Sequence, residues 1–262
     1  MITALYSGST GMVGQQFKLD TITNNLANVD TAGYKRQRAE FVDLYYQYAQ
    51  NPGVPTAGQT SILPTGIYTG LGSRVAAVNR IFTVGNLEET GVPLDVAITG
   101  DGFFQILLQD GTPAYTRDGA FKVDQNGRIV TNIGMPLAQD IVIPLNAVSI
   151  NVTHDGLVVV QTMEGDLQEI GQFVLSRFIN PAGLESIGDN IYIPKPGAGD
   201  PIDGIPGQDG FGGLKQHFLE KSNVNVVREM VGMITSQRAY ELNSRSIMTA
   251  DNLLQTVVGL KR

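Results

Sequence analysis

The chain has 262 residues, which at roughly 150 per domain is enough for one large domain or two ordinary ones. It is 42% hydrophobic and only 16% charged, with 31 glycines, 12 prolines, two histidines (His154 and His217) and no cysteine, so disulfides, thiol nucleophiles and zinc sites needing Cys or three His are excluded. The net charge of −7 is segregated: residues 1–50 carry 4 bases and 4 acids, residues 51–213 carry 7 and 17, and residues 214–262 carry 7 and 4, with no basic stripe to neutralise phosphates and hence no nucleic acid as partner.

The first element is helical. Over residues 2–29, Leu5, Met12, Leu19 and Leu26 recur every seven residues, and Ile22 lies three beyond Leu19, which is the spacing of a coiled-coil seam. Gly8, Gly11 and Gly14 interrupt it, each costing about 1 kcal/mol against Ala. The segment is therefore expected to pack closely on another helix or to stay unfolded until it meets a partner, and Gly33 is expected to end it in a left-handed conformation. Residues 1–12 lack a basic region followed by an apolar one, and the longest aliphatic run, residues 157–160, is too short to span a bilayer. The expectation is no membrane insertion, and either a cytosolic location or export without a cleavable signal.

A loose stretch rich in Pro and Gly follows, residues 51–72, and then the period changes. Short β-prone runs at 94–98, 103–108, 120–123, 128–131, 157–161 and 172–178 are bounded by Asp-Gly, Asn-Gly and Glu-Gly pairs, the strongest short hairpin signals. They predict an all-β module, sandwich-like or barrel-like, from about 75 to 195. A Gly/Pro linker, 196–213, leads to a second helical segment in which Val226, Met233, Tyr240, Ile247 and Leu254 form an unbroken seven-residue series, with Asn225 as N-cap. The predicted architecture is α+β: long terminal helices forming a coiled-coil stalk (1–44 and 214–262), an extended connecting segment (45–74) and the central β domain. Two helices cannot enclose a core alone, so the seams are either paired with each other or completed by other subunits.

Residues that carry catalysis or bind cofactors and metals are not found. Asp124-Gln-Asn126-Gly127 resembles part of a calcium loop, but Lys122 and Ile133 occupy its first and twelfth positions. The glycines at 8, 11 and 14 follow no strand, as a phosphate loop requires, and each histidine stands without a nucleophile or metal partner. No enzymatic activity and no cofactor are expected.

Three motifs carry a family resemblance. Asn24-Asn-Leu-Ala-Asn-Val-Asp-Thr-Ala-Gly-Tyr-Lys-Arg36 resembles the N-terminal signature of the bacterial flagellar rod and hook proteins, with Asn24, Asn25, Asn28 and Gly33 as its polar and turn positions. Ser222-Asn-Val-Asn-Val-Val-Arg-Glu-Met230 and Ile234-x-x-Gln-Arg-Ala-Tyr-Glu-Leu-Asn243 resemble the C-terminal one, through Asn223, Asn225, Gln237 and Arg238. Gly100-Asp-Gly-Phe-Phe104 and Tyr115-Thr-Arg-Asp-Gly-Ala-Phe121 extend the likeness through the middle. Residues 45–66, including Tyr45, Pro52, Pro64 and Gly66, are similar to the loose segment that marks rod subunits. The resemblance implies a homo-oligomeric helical filament of the basal body in motile bacteria, with the terminal helices as an inner tube around an export channel and the β module outside. It implies transmission of motor torque to the hook, type III export without a cleavable signal peptide, and a place in the rod where it crosses the periplasm. It implies other rod and hook proteins, outer-membrane and peptidoglycan ring proteins and the export apparatus as partners. Asn24, Asn25 and Asn28 would set helix register or lie exposed near a helix end. Other readings are a different axial subunit, proximal rod or hook, a surface-binding β module on a coiled-coil stalk, or a cell-wall-cleaving enzyme with paired carboxylates.

Overall fold

The computed structural model describes residues 2–52 and 65–259, and within them two long helices, α1 (Ile2–Ala27) and α2 (Val226–Gly259), flank a β-rich region. Pro64 lies outside the described residues, as does the rest of 53–64. Two compact units result, one of Met1–Leu26, Gln37–Asn79 and Asn225–Arg262, the other of Ala27–Arg36 and Arg80–Val224.

In the helical unit, α2 starts where its cap predicts. The Asn225 side-chain oxygen accepts the Arg228 N–H at 3.0 Å, its carbonyl accepts the Glu229 N–H at 3.0 Å, and Glu229 places a carboxylate in the first turn, toward the positive end of the helix dipole. The helices run antiparallel: Gly8 abuts Ile247, Gly11 abuts Asn243, and Ile22 lies against Gly232. A Cβ at Gly8 would lie 2.8 Å from Cγ1 of Ile247 and one at Gly11 2.8 Å from Nδ2 of Asn243, so these glycines are close-approach positions.

The same unit holds two antiparallel ribbons, Gln37–Asp43 with Ser73–Arg80 and Tyr46–Gln50 with Ile67–Gly70. The described part of the expected connecting segment is thus a β hairpin rather than a loose tether. Tyr48 pairs across it with Tyr68, and Tyr68 packs edge-on to Tyr46 with ring centroids 5.5 Å apart. Cross-strand aromatic pairs hold it together, a signal that the surrounding Pro and Gly obscure in the sequence.

In the β unit a six-stranded antiparallel sheet has the spatial order Glu185–Gly188, Ile191–Ile193, Pro113–Thr116, Phe103–Leu107, Leu175–Arg177, Ile202–Gly204. A three-stranded meander, Ala147–Val152, Leu157–Thr162 and Leu167–Gln172, and three two-stranded ribbons complete it. Phe104, Ile106, Val158 and Leu175 are fully buried in one core, where the Phe104 ring meets Phe121 at 5.0 Å edge to face. Phe103, Tyr115, Phe178 and Tyr192 form a second, aromatic cluster.

The boundaries differ from those expected at two places. The Gly/Pro stretch 196–213 contains Ile202–Gly204, which closes one edge of the six-stranded sheet. Residues 214–224, expected with the terminal helix, belong to the β unit: Leu214–Gln216 pairs with Val96–Ile98 and Phe218–Glu220 with Leu87–Glu89. Strands of three residues are too short for alternation to show. Gly33 has the expected positive φ, 69°, but lies beyond Ala27 in a separate turn and is not the helix C-cap. A Cβ there would lie 2.8 Å from the Arg117 carbonyl carbon.

Candidate assembly surface

Each terminal helix carries a partnered face and, turned away from it, an apolar one. Toward the antiparallel partner, α1 turns Gly8, Gly11, Ile22 and Asn25, and α2 turns Glu229, Gly232, Asn243 and Ile247. Tyr6, Val13 and Phe17 lie on the other side of α1, spaced seven and four, and are about half exposed. On α2 the spacing of Val227, Met230, Val231 and Ile234 makes one stripe, which Leu242 and Met248 prolong, and all six are exposed. A helix with an apolar face opposite its partnered one has more to bury than one partner covers.

The heptad series sits obliquely on this arrangement. Leu5, Met12, Leu19 and Leu26 are half-buried and Ile22 is buried; on α2, Val226 and Tyr240 are exposed while Met233, Ile247 and Leu254 are half-buried. A seven-residue repeat on a straight helix drifts about 20° per heptad, so the four heptads from Val226 to Leu254 rotate the series by about 80° toward the α1-facing side. Val227, Ile234 and Met248 run alongside the heptad series in sequence, while Met230, Val231 and Leu242, which complete the stripe, escape a seven-residue reading.

One of the family-motif asparagines of α1 is a clamp. Asn25 is buried: its amide donates to the Gln37 carbonyl at 2.8 Å and to Glu229 Oε2 at 3.3 Å, and its oxygen accepts the Gln37 N–H at 2.8 Å. It thereby ties α1 to both the first ribbon and α2. Of its neighbours, Asn24 is exposed, and Asn28 accepts the Thr31 hydroxyl at 3.2 Å in the turn after α1. Gln237 is exposed, as is Arg238, which pairs with Glu241 at 2.9 Å. On the hairpin Tyr45 is 89% exposed, Pro52 is exposed and Gly66 is half-buried beside Gln50.

In the β unit, Asn223 accepts the Arg36 N–H at 2.7 Å and donates to the carbonyls of Ile81 and Thr83 at 2.7 and 3.1 Å. Beside it, Glu220 receives Lys35 Nζ at 2.5 Å, the Gly85 N–H at 2.8 Å and the Arg117 guanidinium at 3.0 Å. Arg117 also donates to the carbonyls of Gly100 and Gly102 at 2.8 and 2.6 Å. All three side chains are buried, so one carboxylate faces two cations. Burial, reinforced by Arg117 and opposed by Glu220, lowers the Lys35 pKa from 10.5 to about 8. Arg117 is committed to Glu220 rather than to the adjacent Asp118.

Known proteins give this arrangement a context. The flagella basal body rod protein model matches residues 5–35, the flagellar hook protein FlgE/F/G D1 domain 97–160, and the flagellar basal body rod FlgEFG protein C-terminal model 215–260. The chain is 47% identical to the flagellar basal-body rod protein FlgG of Borreliella burgdorferi, with 100% of both chains covered. It is 48% identical to that of Buchnera aphidicola subsp. Schizaphis graminum, covering 99% of this chain and 100% of the relative. To that of Agrobacterium fabrum it is 45% identical, with 97% of each covered. The match therefore runs from α1 through the β unit to α2, and the chain belongs to the flagellar FlgE/F/G rod and hook family.

Proposed function

We propose that the chain is a structural subunit of the distal rod of the flagellar basal body, polymerising through α1 and α2 into a helical tube that carries torque to the hook. The observation that carries this reading is the second apolar stripe on each helix. Burying a large apolar side chain contributes roughly 1.5 to 3 kcal/mol, so stripes repeated in every subunit can hold many chains together. Contacts between different faces do not close on themselves and generate open filaments. The relatives at 45 to 48% identity are named rod proteins, and the role is structural rather than enzymatic.

In this reading the seams that Leu5, Met12, Leu19, Leu26, Met233, Ile247 and Leu254 leave half-buried become coiled-coil contacts between copies. The tyrosine hairpin braces neighbouring subunits and stiffens the shaft. The tube's channel passes later subunits, the chain itself leaves by the export apparatus without a cleavable signal, and the rod meets other rod and hook proteins and the outer-membrane and peptidoglycan rings as it crosses the periplasm. Among the described residues no helix is long and apolar enough to cross a membrane. Replacing Val227, Ile234 and Met248 together by Ser is expected to leave monomer stability within about 0.5 kcal/mol, as surface changes do, while abolishing filaments in electron micrographs. Filaments of normal length from that variant would sink the assembly reading, and deletion of 45–66 with unchanged filament straightness would sink the bracing role.

A further inference from the structure

The three-stranded meander of the β unit ends in an uncovered apolar tip. Leu145, Val148, Met163 and Leu167 are 99%, 63%, 77% and 74% exposed. The backbone brings them to one end of the sheet. Ala147 pairs with Thr162, the Met163 N–H donates to the Asn146 carbonyl at 3.1 Å, and Leu167 pairs with Gln161 across the turn that the Thr162 N–H closes on the Asp166 carbonyl at 3.0 Å. Large aliphatic side chains gathered on a surface mark interaction sites, whereas scattered ones do not.

The charges on the turn and strand that form the tip are of one sign. Between Arg128 and Arg177 the sequence has no Lys or Arg, and Glu164, Asp166 and Glu169 fall on that turn and strand. Glu164, Asp166 and Glu169 are exposed, on the turn and strand that hold Met163 and Leu167. Against another tip, or against another part of residues 51–213, which carry 7 bases and 17 acids, the tip would meet charge of its own sign, which is costly, so it is ill suited to its own copy. It complements an apolar surface rimmed by Lys or Arg, the cation-bearing residues that reach across an interface edge while their stems pack.

We propose that this tip docks a protein other than the chain itself, whose contact surface is apolar at its centre and carries Lys or Arg at its rim. The proposal leans on the rod reading only for the setting of its test. Because the chain has no cysteine, Met163→Cys supplies a single thiol, and a short thiol-to-amine crosslinker applied to cells with assembled basal bodies reports a lysine beside it. The expected product joins Met163→Cys to a lysine of a different protein. Its yield should fall at least tenfold when Glu164, Asp166 and Glu169 are all replaced by Arg, which reverses the charge without adding a competing amine, and by a smaller factor in E164Q/D166N/E169Q, with unchanged melting temperature in both. No product, products only between copies of the chain, or a yield indifferent to these charges would overturn the proposal. Rods counted by electron microscopy in the same cells separate that result from failure of the rod reading. Basal bodies lacking the chain altogether would overturn both.

Discussion

The β unit and the helical unit place their apolar residues in opposite ways. In the β unit the large side chains turn inward, and Phe104, Ile106 and Leu175 are fully buried among each other. In the helical unit Phe17, Val227 and Ile234 are half exposed or more, and the face that α1 and α2 share is lined by Gly8, Gly11, Gly232 and Ser236. The β unit closes a core of its own and leaves apolar side chains outside it, as at the meander tip of Leu145 and Met163; the helical unit leaves large apolar side chains along both helices. Small residues let the helices approach, and the large ones are left on the outside.

The sharpest way to break this contrast is at the buried charges. Glu220→Gln leaves Lys35 and Arg117 without their carboxylate, and loss of one member of a buried ion pair costs about 3 to 5 kcal/mol. Urea unfolding followed by tyrosine fluorescence, the chain having no tryptophan, should show it, and Lys35→Met added to Glu220→Gln should recover part of the loss. A loss below about 1 kcal/mol would mean that the cluster is not the keystone its geometry suggests.

Paired truncations test the comparison directly. Phe104→Ala should cost about 3 to 5 kcal/mol through the cavity it leaves, whereas Phe17→Ala should cost under about 0.5 kcal/mol in the monomer. Equal costs would show that the two units bury their aromatics alike. Asn25→Ala removes a clamp from the Gln37 backbone and should cost about 1 to 3 kcal/mol, read as faster amide exchange in the Gln37–Asp43 ribbon.

The most gradual effect is a pH dependence. Below about pH 8 Lys35 is charged in both the folded and unfolded chain, and the cost of burying that charge is carried in full. Between about 8 and 10.5 the folded chain releases a proton that the unfolded chain retains, so this group makes stability rise with pH, by at most about 1.4 kcal/mol per pH unit. The rise should be flatter in Lys35→Met, and an unchanged slope would show that Lys35 does not titrate there.

The helices were legible because period and cap agree: α2 begins one residue after Asn225, as its side chain requires. The Asp-Gly and Asn-Gly turns placed several strands for the same local reason. What stayed hidden is long-range. Nothing near Glu220 in sequence announces Lys35, 185 positions away, and Leu214–Gln216 reads as a strand only once Val96–Ile98 is beside it. Asn25 was singled out by the family resemblance as a polar motif position, but its partner, the backbone of Gln37, has no side-chain signature. Ile202–Gly204 was masked by the glycines and prolines around it.

The way residues 214–224 return to the β unit has a consequence in time. Synthesis proceeds from the N-terminus, so Leu87–Glu89 and Val96–Ile98 are made long before the strands that pair with them. Lys35 and Arg117 likewise precede the carboxylate that neutralises them, and Arg36 the Asn223 that holds it. Only with Val224 is every segment of the β unit present. Closure of that unit thereby waits for strands made after all its others, and a chain captured before then is still unfinished.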